Sequence, residues 1–174
     1  MEYLEKGELR KLFQVAYEHD RTHHLFLLTT LWHALRVSEA INIRGTDIQC
    51  GELTVPRIKK GHATRQPIHR DGDPLFDETP VIAVAAENPN RLFNFSRQWA
   101  DLFIKKYCVL AGIHSDKAHM HALRHSFAML LWEKTHSLGM IQGYLGHRCP
   151  SSTLIYLVEV DRTKAHAAAA GITI

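Results

Sequence analysis

Residues 121–128 read HALRHSFA. Two histidines flank an arginine, and an apolar run follows at once, so a helix is expected from about His121 to about Thr135. His121 and Arg124 are three apart and share a helix face. No carboxylate stands beside them. Paired carboxylates would suit a metal or a sugar. The planar fork of an arginine suits phosphate oxygens, which it meets with two parallel donors.

Outward from this segment, the apolar spacing predicts more helices. Leu9, Leu12, Phe13, Ala16 and Tyr17 form an i, i+3, i+4, i+7 stripe over 5–19. Residues 23–35 are apolar on most sides, which predicts a central helix capped by Thr22. Ser38 is expected to begin a short helical turn. After Gly45 the period shortens, and 47–49, 52–58 and 65–69 read as antiparallel strands broken by CG and KKGHAT. Thr79-Pro80 suggests a short helix to about Asn88. Ser96 caps one that ends near Gly112, with Trp99, Leu102, Phe103 and Leu110 as its apolar face. Ser137 caps another that ends at Gly146. The segment PSSTLIYL and residues 161–170 also read as helical. The fold class is therefore mainly α with a small antiparallel β-sheet (α+β).

With 174 residues, 45% hydrophobic and 22% charged, the chain suits one folded domain. The net charge of +3 permits an anionic partner without requiring one. Cys50, Cys108 and Cys149 are odd in number and widely spaced, which argues against a disulfide framework and for a reducing cytoplasm. The opening MEYLEKGELR is too charged for a signal peptide, and no apolar run is long enough to span a bilayer, so no membrane association is expected.

Four further pieces complete a pattern. Arg36 sits in LRVSE, Lys60 in KKG between two predicted strands, His147 in LGH, and Tyr156 nine residues beyond it. In this order and spacing, with HALRHSFA, they resemble the catalytic domain of the tyrosine recombinases, the phage integrase family. The resemblance runs from about Leu9 to Val160. The compact RIKKGHATRQPIH most resembles the small invertase-type members.

The resemblance implies a reaction. Tyr156 would attack a DNA phosphodiester, become joined to the 3′-phosphate and release a 5′-hydroxyl. Two such transesterifications exchange strands without ATP, any cofactor or a metal. Arg36 and Arg124 would clamp the charged transition state. Lys60 would protonate the leaving oxygen, with Lys59 its direct competitor. His121 would help take the tyrosine proton or position the phosphate, and His147 would donate to a non-bridging oxygen. Glu39 would orient Arg36 or a histidine. Arg44, Lys59, Arg65 and Arg148, and also Arg91 and Arg97, are candidates for contacts to the backbone of double-stranded DNA. A homo-oligomer, a tetramer on DNA, is implied, with the Ala-rich tail reaching a neighbour.

Other readings remain open on the sequence. A type IB topoisomerase uses a similar residue set, and a DNA-binding remnant would bind without cutting. His121 and His125 have the i, i+4 spacing of a zinc site, although Arg124 between them makes a dication costly. Cys149 beside His147 raises a cysteine nucleophile. Tyr144 is a rival to Tyr156, but its spacing to Ile141 and Leu145 suggests packing. Tyr3, Tyr17, Tyr107 and His125 read as structural, and the Trp and Phe set reads as core. The family often has a glycine before LR, where this chain has His33-Ala34. The expected organisation is one catalytic domain: a core over 1–156, a tail over 157–174, and no separate N-terminal DNA-clamping domain.

Overall fold

The structure is a computed structural model that describes residues 2–55, 57, 63–147, 151, 153 and 154. Lys59, Lys60, Arg148, Cys149 and Tyr156 lie outside these residues, as does the tail helix expected at 161–170. The described elements are helices α1 (Lys6–His19), α2 (Arg21–Trp32), α3 (Val37–Ala40), α4 (Pro80–Glu87), α5 (Arg97–Leu110), α6 (Met120–Thr135) and α7 (Leu138–Leu145), and strands β1 (Ile48–Gln49), β2 (Glu52–Val55) and β3 (Thr64–Pro67). Ser151, Thr153 and Leu154 are also helical. None of the helices among the described residues is long and apolar enough to cross a membrane.

Helix α2 is the axle of the fold. His24 through Leu31 are all buried, and α1 and α6 pack on its flanks. Phe26, Leu27 and Leu28 are fully enclosed, each burial contributing about 1.5–3 kcal/mol. Thr22 does not cap this helix. Asp20 does, by accepting from the backbone N–H groups of Thr22 and His23 at 2.8 and 2.9 Å. The N–H of Asp20 also closes α1 on the carbonyl of Ala16. A single residue thus ends one helix and starts the next, because a carboxylate reaches two of the orphan donors of the first turn.

The strands form one antiparallel sheet in the order β1-β2-β3. Cys50 and Gly51 join β1 to β2 with both φ values positive, the backbone of a two-residue hairpin turn. In β2, Leu53 and Val55 point inward. The strand is described over Glu52–Val55, and Arg57, which the expected span to 58 included, is not in strand. Helix α4 starts on Pro80, and Ser96 and Ser137 cap α5 and α7 as their positions suggest.

Helix α5 is turned differently from the expected face. Its buried residues are Ala100, Phe103, Ile104, Tyr107 and Cys108. Trp99 is 60% exposed, and Leu102 and Leu110 also face outward. Two apolar stripes compete on this helix. The buried one continues into the aromatic cluster of His23, Phe26, Phe93 and Phe95, whose close packing favours it.

Candidate functional site: a buried guanidinium cluster

The chain turns sharply after α2. Ala34 adopts a left-handed φ of 47°, a conformation that glycine adopts at no cost and alanine adopts under strain. The turn aims the carbonyl of Ala34 at Nη1 of Arg124, which donates to it. Arg36 follows in an extended conformation and α3 begins at Val37, one residue before the expected Ser38. The early start has a local cause: the Glu39 carboxylate reaches back and accepts from the Arg36 backbone N–H at 2.9 Å.

Glu39 is 2% exposed and gathers three arginines. It accepts from Arg36 Nη1 at 2.9 Å and from Arg57 Nη1 at 3.0 Å. Arg124 Nη1 lies 3.7 Å away. Burial pushes its carboxyl up, but the Arg36 N–H and the Arg57 and Arg124 charges outweigh this and hold it below the ordinary value. Three guanidiniums against one carboxylate leave two net positive charges on the cluster.

Arg57 was not among the residues singled out from the sequence. It is 7% exposed, and its Nη2 donates to the carbonyls of Tyr144 at 2.8 Å and His33 at 3.3 Å. A signal was present: Arg57 continues the inward phase of Leu53 and Val55, so an arginine on the core face needed partners. Arg57 cancels Glu39 and so leaves the charges of Arg36 and Arg124 for an anion.

Behind Arg57 lies a second buried polar layer. Gln66 Nε2 donates to the Tyr144 carbonyl at 2.9 Å and to Thr64 Oγ1 at 3.1 Å. The amide oxygen therefore faces His33, whose Nδ1 donates to it at 2.8 Å. Glu78 takes the other ring nitrogen of His33 at 3.2 Å. The unusual His33 is thus a buried tie between sheet and helix.

Arg124 is 1% exposed. Its Nη2 donates to the Leu145 carbonyl at 3.1 Å and meets His147 Nε2 at 3.0 Å. Gly146, at φ 64°, ends α7 and turns the chain so that His147 can reach it. Burial, followed by the Arg124, Arg36 and Arg57 charges, holds the His147 pKa at about 4. His121 sits at the start of α6 with an exposed edge. Desolvation, then Arg124, lowers its pKa too. His125 is buried, and desolvation, then His121, His119 and Arg124, takes it down to about 3. Its ring meets that of His121 edge-on at 4.3 Å between centroids.

Arg36 and His121 open onto a groove of about 580 Å³ that Ser38, Arg97, Asp101 and His119 also line. Of the proposed backbone contacts, Arg97 belongs to this groove, whereas Arg44, Arg65 and Arg91 are exposed outside its lining. Arg65 pairs with Glu52 at 2.9 Å, and Arg91 Nε donates to the Ile41 carbonyl at 3.0 Å. Tyr144 is held as a packing residue: its ring stacks on Phe127, its hydroxyl donates to the Trp32 carbonyl at 2.8 Å, and burial pushes its pKa far up. A phenol so engaged is a poor nucleophile.

These shifts fix the sign of the acid response. His125 and His147 titrate near 6.5 when unfolded but at about 3 and about 4 when folded. Between those values the unfolded chain binds more protons, so stability falls as pH drops below about 6.5, at about 1.4 kcal/mol per pH unit for each proton. The lowered Glu39 adds a loss of the same sign below the ordinary carboxylate value. Denaturant unfolding at about pH 7 and about pH 5 should give a lower midpoint at the acid value with an unchanged slope. An equal or higher midpoint there contradicts the depressed histidines.

The helices and the three-stranded antiparallel sheet have the fold of tyrosine recombinase catalytic domains. XerH recombinase bound to a palindromic difH substrate superposes with a TM-score of 0.75 at 22% identity, covering 98% of this chain and 53% of that one. The catalytic domain of bacteriophage HP1 integrase gives 0.70 at 21% identity, covering 97% of this chain and 94% of that one. Residues 2–162 match the Phage integrase family, and the chain belongs to that family. A tyrosine recombinase of Pseudothermotoga lettingae is 28% identical over 169 residues, which cover 94% of this chain and 58% of that protein. The chain spans about half the length of the curated relatives it matches.

Proposed function

We propose that this chain is the catalytic domain, with its core in residues 1–156, of a site-specific recombinase that cuts and rejoins double-stranded DNA through a 3′-phosphotyrosine. The observation that carries the reading is the pair of guanidiniums, Arg36 and Arg124, held by one buried carboxylate with two positive charges in excess. A phosphodiester carries one negative charge and its pentacovalent transition state two, so the excess matches the transition state better than the ground state.

In the proposed step, the Tyr156 oxygen bonds to phosphorus and the bond to the 5′ oxygen breaks. His121, neutral because its pKa is lowered, is suited to accept the phenolic proton. Lys60, or its neighbour Lys59, gives a proton to the leaving oxygen. Attack by a 5′-hydroxyl reverses the step and rejoins a strand. Arg97, with Arg44, Arg65, Lys59 and Arg148, would hold the duplex backbone. The domain would work in the cytoplasm, as a tetramer on DNA.

The test is a library of nicked duplexes of randomised sequence, incubated with the chain in EDTA without ATP. A covalent adduct that maps to Tyr156 is expected. Binding without adduct on every duplex selects a non-cleaving DNA-binding role, and an adduct on another residue overturns the assignment of the nucleophile. Relaxation of supercoiled DNA without a preferred site points instead to a topoisomerase.

A further inference from the structure

Thr153 stands three residues before Tyr156 in the sequence. It is 1% exposed, and its Oγ1 lies 3.0 Å from His147 Nδ1. On the other side of the ring, Nε2 is 3.0 Å from Arg124 Nη2. A guanidinium has only donors, so Nε2 is the acceptor and Nδ1 carries the proton, which it donates to Thr153. The backbone of His147 is pinned as well. Its N–H donates to the Gln142 carbonyl at 3.0 Å, and Gln142 Nε2 donates to its carbonyl at 3.1 Å. The ring is what remains to be set, and Thr153 grips one end of it.

We propose that Thr153 is a positioning residue for phosphodiester cleavage: its hydroxyl holds the Nδ1–H of His147 in both protonation states, so that Nε2 can exchange its bond with Arg124 for one donated to a phosphate oxygen. The proposal rests on the recombinase reading above.

Without DNA, His147 is neutral and its Nε2 has no proton to give. The charged groups that face it are Arg124 on α6, Arg36 and Glu39 at α3, and Arg57 beyond β2, and the three cations outnumber the carboxylate. A bound phosphodiester adds a negative charge, and the transition state adds another, which favours the imidazolium. The proton comes from solvent. The cation then needs an acceptor on both nitrogens: phosphate takes Nε2–H, and Thr153 keeps Nδ1–H in a hydrogen bond that the positive charge strengthens. Arg124 Nη2, released from the ring, turns its donor to the same anion. Thr153 stands three residues before Tyr156 in the sequence, so the group that aligns His147 belongs to the same stretch of chain as the proposed nucleophile. One hydroxyl thereby ties the anion pocket to the nucleophile-bearing segment.

The full chain, Thr153→Val and Thr153→Ser distinguish this role from simple packing. On the nicked-duplex library under single-turnover conditions, Thr153→Val should cleave about tenfold more slowly near neutral pH, the cost of one buried donor left without its acceptor. Its duplex affinity should stay within about twofold, because many phosphate contacts share that affinity. The deficit should shrink on acidification, which restores the imidazolium, and Thr153→Ser should behave as the parent. In the DNA-free chain, nitrogen-15 NMR should show the His147 Nδ1–H protected from exchange in the parent and in Thr153→Ser, and unprotected in Thr153→Val. Inorganic phosphate should raise the His147 pKa less in Thr153→Val than in the parent. Wild-type cleavage and unchanged imidazole signals in Thr153→Val overturn the proposal, as does a pH-independent loss that Thr153→Ser shares. If no variant forms an adduct on any duplex, the recombinase reading fails, while the NMR still decides whether Thr153 sets the histidine.

Discussion

Arg124→Lys should slow formation of the covalent DNA adduct by about 10²–10³-fold, the effect of removing one preorganised donor from an oxyanion site. Arg124 is held by its shape. One face of its guanidinium donates to the carbonyls of Ala34 and Leu145, and the same Nη2 reaches His147. A lysine keeps the charge but gathers its donors on one nitrogen, whereas the carbonyls of Ala34 and Leu145 are met by two separate nitrogens of the planar fork. The Ala34 turn, already at a left-handed φ, loses the donor that rewards its strain. His147 also loses the partner on Nε2 that fixes its tautomer. Affinity for duplex DNA should fall much less than the cleavage rate, because one contact among many is lost. Single-turnover adduct formation alongside a binding titration measures both. Cleavage by Arg124→Lys within a few-fold of the parent argues that charge alone, without the fork, serves this pocket.

Glu39→Gln should reduce stability by about 3–5 kcal/mol, because removing one partner of a buried ion pair leaves uncompensated charge. Here the amide abandons three cations together: Arg36, Arg57 and Arg124. Arg57→Met on its own should also destabilise, since it strips the carbonyls of Tyr144 and His33 of a donor and leaves Glu39 less compensated. The double variant should recover part of the loss, because it removes one charge of each sign and restores two net positive charges at the pocket. Denaturant unfolding of the four proteins forms a double-mutant cycle, and the expected coupling is favourable and large. Additive losses argue that Arg57 acts through the two carbonyls and not through Glu39.

Much of the fold could be read from neighbours in the chain. The stripe from Leu9 to Ala16, the serine caps at Ser96 and Ser137, Pro80 at a helix start and the Cys50-Gly51 turn each depend on residues within a few positions. Hydrogen bonds to local backbone and apolar periodicity are themselves local properties. The order of Arg36, Lys60, His121, Arg124, His147 and Tyr156 likewise needed no coordinates to suggest phosphate chemistry. The choice between two apolar stripes on α5 was not local. Trp99 and Leu102 make as good a face in sequence as Phe103 and Tyr107, and only the aromatic cluster with α2 decides which one is buried.

The sequence by itself determined the fold class, most helices among the described residues and the family, and it proposed the residues that would grip a phosphate. Tertiary structure alone decided how those residues are charged and held. Glu39 meets Arg57 across 18 positions and Arg57 meets Tyr144 across 87. Thr153 becomes the partner of His147 only because Gly146 turns the chain back toward Arg124. Electrostatic pairing in a buried site depends on distance through space and on exclusion of water, and neither is set until distant segments pack.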